Sequence, residues 1–96
     1  MKIYSLKKSH GGELLIEHGE VIKETEKTYK VKGLGYRSQL NKNELNKQIG
    51  GYGLEVYCID LSEGKIAANK FLEKEIQNLQ TKIAQLEKLQ MSVNEI

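Results

Sequence analysis

Leu72, Ile76, Leu79, Ile83, Leu86, Gln90 and Val93 succeed one another at alternating intervals of four and three residues. This seam constrains the chain more than any other feature. It is a heptad repeat with Ile76 and Ile83 at a and Leu72, Leu79, Leu86 and Val93 at d, the combination that favours two parallel strands. At ~1.5 Å per residue, 72–93 makes a helix about 33 Å long, which exceeds the diameter of a domain built from the sixty residues before it. Such a domain cannot cover the helix along its length. The seam therefore predicts self-association through a coiled coil, with Lys82 at g reaching Glu87 at e of a second copy; the alternative is packing along the chain's own domain. Asp60-Leu-Ser-Glu63 reads as a capping box, with Ser62 as the alternative N-cap, so 61–96 is expected to be one amphipathic C-terminal helix, frayed near Gln90 and Asn94-Glu95.

Residues 1–60 read as short strands punctuated by glycine. Lys2–Lys8 places Tyr4 and Leu6 on one face. His18-Gly19 between Leu14-Leu15-Ile16 and Val21-Ile22 predicts a tight hairpin turn. A second turn near Glu26-Lys27 leads into Thr28–Lys32, where Tyr29 and Val31 alternate with polar neighbours. Gly33-Leu34-Gly35 bends the chain into Tyr36–Leu40. Asn41-Lys-Asn-Glu44 fits a capping box, predicting a short helix over 42–48 that Gly50-Gly51-Tyr52-Gly53 ends. In Leu54–Ile59, Leu54, Val56 and Cys58 oppose Glu55, Tyr57 and Ile59. The expected fold is α+β: a small antiparallel sheet or SH3-like barrel over 1–60, followed by the long helix.

With 96 residues there is room for one small domain and that helix. No apolar run approaches a membrane span, and Met1–Lys8 lacks the pattern of a signal peptide. Cys58 is the single cysteine, so a disulfide framework within the chain is excluded and a reducing, cytoplasmic setting is expected. The net charge is +2, but it is unevenly spread: nine lysines and Arg37 face six glutamates in 1–48, whereas five lysines face seven acids in 49–96. Between residues 27 and 47 only Glu44 offsets six basic side chains.

Catalytic and metal chemistry find little support. Gly33-Leu-Gly35-Tyr-Arg-Ser38 lacks the third glycine of a dinucleotide-binding turn and precedes a strand rather than a helix. His10 and His18 sit beside glycines in expected turns, without the spacing of metal ligands. Cys58 lies in an alternating strand, where a small buried side chain is the expected role. No enzyme activity, metal or cofactor is expected. What remains is the basic and aromatic set Tyr29, Lys30, Lys32, Tyr36, Arg37, Ser38 and Lys42, with chemistry suited to an anionic partner. Arg37, the only arginine, offers a planar fork for phosphate or carboxylate, and tyrosine can stack on a base. Equally, Tyr29 and Tyr36 can be core residues and the lysines a solvated face.

The hairpin Gly19-Glu-Val-Ile-Lys-Glu-Thr-Glu-Lys-Thr-Tyr-Lys-Val, the stretch Tyr36-Arg-Ser-Gln-Leu-Asn-Lys-Asn-Glu-Leu and the Lys/Glu/Leu/Ile-rich terminal helix resemble small accessory proteins of phages and prophages of low-GC Gram-positive bacteria. The resemblance implies a class of jobs and no catalytic residues: binding and blocking a host defence protein, sequestering a small anionic nucleotide signal, or regulating through DNA. The expected function is that of a non-enzymatic, homo-oligomeric counter-defence binding module. Nucleic-acid binding by an SH3-like domain is the alternative, and a purely structural role for the coiled coil a third reading.

Overall fold

A computed structural model describes residues 1–51 and 53–96. Five strands, β1 (Lys2–Lys8), β2 (Leu14–Glu24), β3 (Thr28–Leu34), β4 (Arg37–Asn41) and β5 (Glu55–Cys58), precede one helix, α1 (Leu61–Asn94). They form a curled antiparallel sheet in the order β4-β3-β2-β1-β5. β1 is buried on both faces. Ile3 joins Tyr29, Val31, Leu34, Leu40 and Tyr57 in the core on the inner face. Leu6 joins Leu54, Val56 and Cys58 on the outer face, where Ala68, Ala67, Leu61 and Phe71 of α1 pack. The alternation expected of 28–32 and 54–59 is present, with Tyr29, Val31 and Tyr57 inward and Val56 and Cys58 outward.

The turn expected at His18-Gly19 does not exist, because β2 runs through it unbroken from Leu14 to Glu24. Gly19 serves a close approach instead. A Cβ there would stand 3.0 Å from Leu34 Cγ and nearer still to the Lys32 carbonyl oxygen. Across from it Gly33 takes φ +96°, which an L side chain rarely adopts, and its own Cβ position lies 3.4 Å from Gly19 Cα. Two facing glycines thus let β2 and β3 close together at the bend, the use of glycine expected inside a strand.

The helix expected over 42–48 is also corrected. Glu44 Oε1 accepts the Asn41 N–H at 3.0 Å and the capping box forms, but only one 3-10 turn, Lys42–Glu44, follows. Beyond it the chain is claimed by β5. Asn46 N–H donates to the Tyr57 carbonyl at 2.8 Å and Ile49 N–H to the Glu55 carbonyl at 2.9 Å, while Leu45 and Gln48 form bridges to Tyr57 and Val56. Backbone groups paired to a strand edge cannot continue a helical ladder. The glycine stop expected next includes Tyr52, which lies outside the described residues.

α1 starts just after Asp60, but Glu63 does not complete the expected capping box and its Oε2 accepts from Asn46 Nδ2 at 2.8 Å instead. Asp60 is the N-cap, its carboxylate accepting Ser62 N–H at 2.9 Å. Gly64 is buried against the sheet: a Cβ there would stand 3.0 Å from Cys58 Cβ and 3.3 Å from Leu6 Cδ1. The helix then leaves the sheet after Phe71 and runs on to Asn94, without the fraying expected from Gln90. At ~1.5 Å per residue its 34 residues span about 51 Å, and the molecule measures 65 × 26 × 21 Å.

Candidate functional site

Arg37 begins β4 at the open end of the inner face. Its Nη2 donates to Glu44 Oε2 at 2.9 Å, and its guanidinium carbon lies 5.2 Å from the Tyr57 ring centroid. Burial opposes the Arg37 charge, but Tyr57 and Glu44 outweigh it and raise its pKa. The Asn41 N–H, and with it Arg37, holds Glu44 below the usual carboxylate range despite partial burial. Tyr57 is fully buried; burial, and then the hydrogen bond it donates to Glu55 Oε2 at 2.7 Å, push its hydroxyl pKa up. Arg37 therefore fastens β4 to the 3-10 turn and roofs the core, with its fork already engaged by a carboxylate.

Lys42 and Tyr29 form a second fixed pair. The Lys42 ammonium lies 4.9 Å from the Tyr29 ring centroid and is hydrogen-bonded to Glu24, which raises its pKa. The Tyr29 ring belongs to the core. Tyr36, by contrast, is 83% exposed at the β3–β4 turn, with Lys7 Nζ 5.3 Å from its ring centroid and 5.6 Å from that of Tyr57. Lys30, Lys32 and Ser38 are exposed. Lys30 and Lys32 alternate with the inward Tyr29 and Val31, so they stand on the outer face. The seven residues singled out in the sequence thus do not line one pocket: Tyr36 and Arg37 lie at the inner open end, Tyr29 and Lys42 at a core edge, Lys30 and Lys32 outside, and Ser38 is exposed on β4.

Lys7, Tyr57 and Glu44 were missed at the inner end. The Lys2–Lys8 alternation, which sets Lys7 on the face of Ile3, was the signal for Lys7. Cys58 is buried, and burial, followed by the nearby Asp60 charge, raises its thiol pKa. Among the described residues no three His, Cys, Asp or Glu side chains converge as a metal site requires. Among the described residues no helix is long and apolar enough to cross a membrane.

The seam is the most extended feature. Leu72, Ile76, Leu79, Ile83, Leu86 and Val93 are 42–65% exposed. The residues that dock α1 on the sheet, Leu61, Gly64, Ala68 and Phe71, are centred roughly a seventh of a turn around the helix from that seam. Beside Leu72 a groove of about 630 Å³ runs between α1 and the β1–β2 loop, lined by Leu6, Leu14, Leu54, Ala68 and Phe71 among others. No protein-family model, curated protein or solved structure matches the chain.

Proposed function

We propose that this chain is a non-enzymatic binding module, homodimeric through residues 72–93, whose small β domain presents a surface to a macromolecular partner. The observation that carries the reading is the seam: six apolar side chains in heptad register, left open by their own domain. Exposed apolar stripes of this length mark interaction sites. A parallel, in-register pair aligns every apolar layer with its own copy, leaves only Gln90 polar at the interface and sets Lys82 opposite Glu87. We further read the β domain as an SH3-like barrel. Support comes from the β5-β1-β2-β3-β4 order and from the bridges of Leu45 and Gln48 to β5, which draw the sheet toward closure.

The division of the basic residues bears on the partner. A sequestered nucleotide needs convergent polar groups in one concave pocket. Arg37 and Lys42 already hold carboxylates, whereas Lys30 and Lys32 stand on an open surface. A macromolecule is thereby favoured over a small nucleotide. Both remaining jobs implied by the resemblance to phage accessory proteins, counter-defence by blocking a host component and regulation through DNA, use such a surface.

Native mass spectrometry tests the dimer. The wild-type protein is expected at twice the chain mass and Ile83→Asp at the chain mass. Losing two half-exposed isoleucines from one layer costs about 3 kcal/mol per dimer, about a hundredfold in Kd. A wild-type monomer at micromolar concentration, or a dimer indifferent to Ile83→Asp, refutes the reading.

A further inference from the structure

α1 packs over β5 and β1, leaving the outer face of β2, β3 and β4 open. Cross-strand partners share a face, so the register assigns this surface row by row. Tyr4 pairs with His18, then Lys2 with Glu20 and Glu20 with Lys32, then Lys23 with Lys30 and Lys30 with Gln39. The β2 bulge between Val21 and Lys23 brings the last row into line, adding Ile22 where β3 has no matching residue. Lys2, Lys23, Lys30 and Lys32 carry no ion pair among the described residues. The one carboxylate in these rows, Glu20, lies 3.6 Å from the Met1 ammonium.

Lys23 directly opposite Lys30 is a like-charge pair, which opposes sheet pairing. A local rule broken without compensation in the fold marks a functional site. The next two rows add Lys32 and Lys2, and then an aromatic step: the Tyr4 and His18 rings meet edge to face with centroids 6.4 Å apart. His18 is exposed. Successive rows are about 7 Å apart along the strands, so cations and rings follow one another along one track. Lysines beside stacking rings, with no helix on this face to enter a groove, fit a flexible strand better than a duplex. We propose that the outer face of β2–β4, with the adjoining start of β1, binds single-stranded nucleic acid, its phosphates on Lys2, Lys23, Lys30 and Lys32 and a base against His18. This names the partner in the surface-binding reading above and does not depend on the dimer.

The test is fluorescence anisotropy of the full chain with a labelled twenty-nucleotide single strand, with polyglutamate of similar charge as comparison. Four phosphate contacts give a slope of log K against log salt of about −3, or about a fifty-fold loss between 50 and 200 mM. Lys23→Gln/Lys30→Gln should halve the slope, to about a seven-fold loss, while its melting temperature stays level or rises as the like-charge pair is relieved. Lys74→Gln/Lys88→Gln, on the free part of α1, should leave affinity within about two-fold. His18→Ala should weaken the oligonucleotide several-fold and polyglutamate not at all. The proposal is overturned by absence of oligonucleotide binding at 50 mM salt. Equal loss in both lysine pairs also overturns it, as does polyglutamate binding as tightly as the strand, which would make an acidic protein the partner. Masses taken on the same samples separate the two readings. A binding monomer sinks only the coiled coil, and a dimer that binds no strand sinks only this face.

Discussion

Gly64 gives the sharpest test of how helix and sheet are joined. Two effects of Gly64→Ala oppose one another. Inside a helix, alanine is favoured over glycine by about 1 kcal/mol. At this position the new methyl would stand 3.0 Å from Cys58 Cβ, closer still to its Sγ, and 3.3 Å from Leu6 Cδ1. Cys58 and Leu6 are both buried in the outer-face core and have little room to retreat. Overpacking of this kind costs typically 1–3 kcal/mol, so the clash wins by about 1 kcal/mol and the β domain melts about 4–8 °C lower. The sharpest part of the conflict lies with one sulfur, which makes the reasoning checkable. In a Cys58→Ala background the sulfur is gone, and Gly64→Ala should turn from destabilising to neutral or stabilising. The coupling in the four-protein cycle should reach at least about 1 kcal/mol, within the range for residues in direct contact. The assay is urea unfolding followed by tyrosine fluorescence, which reports on the β domain, Tyr57 and Tyr29 in its core included, rather than on α1, which has no tyrosine. If Gly64→Ala stabilises the wild-type protein, or if the cycle shows no coupling, α1 does not sit on β5 as described.

Other substitutions probe the remaining joints. Gly19→Ala should prevent stable folding, because its Cβ meets the Lys32 carbonyl, a backbone atom held in β3, and a soluble cooperative melt would contradict the close approach of β2 and β3. Arg37→Ala should cost about 1 kcal/mol through the half-buried Glu44 pair and the Tyr57 ring, lowering the denaturation midpoint while single-strand affinity stays unchanged. An affinity loss without a stability loss would return Arg37 to ligand duty. Glu44 has a folded pKa below its ordinary value, so its contribution is fully present above that value and is lost as pH falls through the lowered one. Stability should therefore decline on acidification below about pH 4.5, and Glu44→Gln should flatten that part of the curve; an unchanged slope would remove Glu44 from the acid response.

The structure shows which kinds of statement a sequence of this size carries on its face. The alternation of 28–32 and 54–59, the turn near Glu26-Lys27 and the Asp60 cap all depend on residues within a turn or two of one another, and local pattern sufficed for them. What it could not separate were two uses of one residue. Gly19 looks the same from the chain whether it turns a hairpin or lets Lys32 approach, and only the distant strand decides. The expected 42–48 helix failed similarly. Its capping box is real, but Leu45 and Gln48 are bound to a strand that follows them in the chain. Charge followed the same logic at the candidate site. Counting basic residues picked Arg37, whose Glu44 partner is seven residues on, and overlooked Lys23, which acquires meaning only through its register with Lys30. That register depends in turn on the Ile22 bulge. Without the bulge, a regular ladder continuing from Val21 opposite Val31 would set Ile22 opposite Lys30 and turn Lys23 to the inner face beside Tyr29. The outer basic face therefore rests on β3 skipping Ile22, and deleting Ile22 should straighten β2 yet keep Lys23 opposite Lys30, so that single-strand affinity, the seam and the α1 docking face all stay intact.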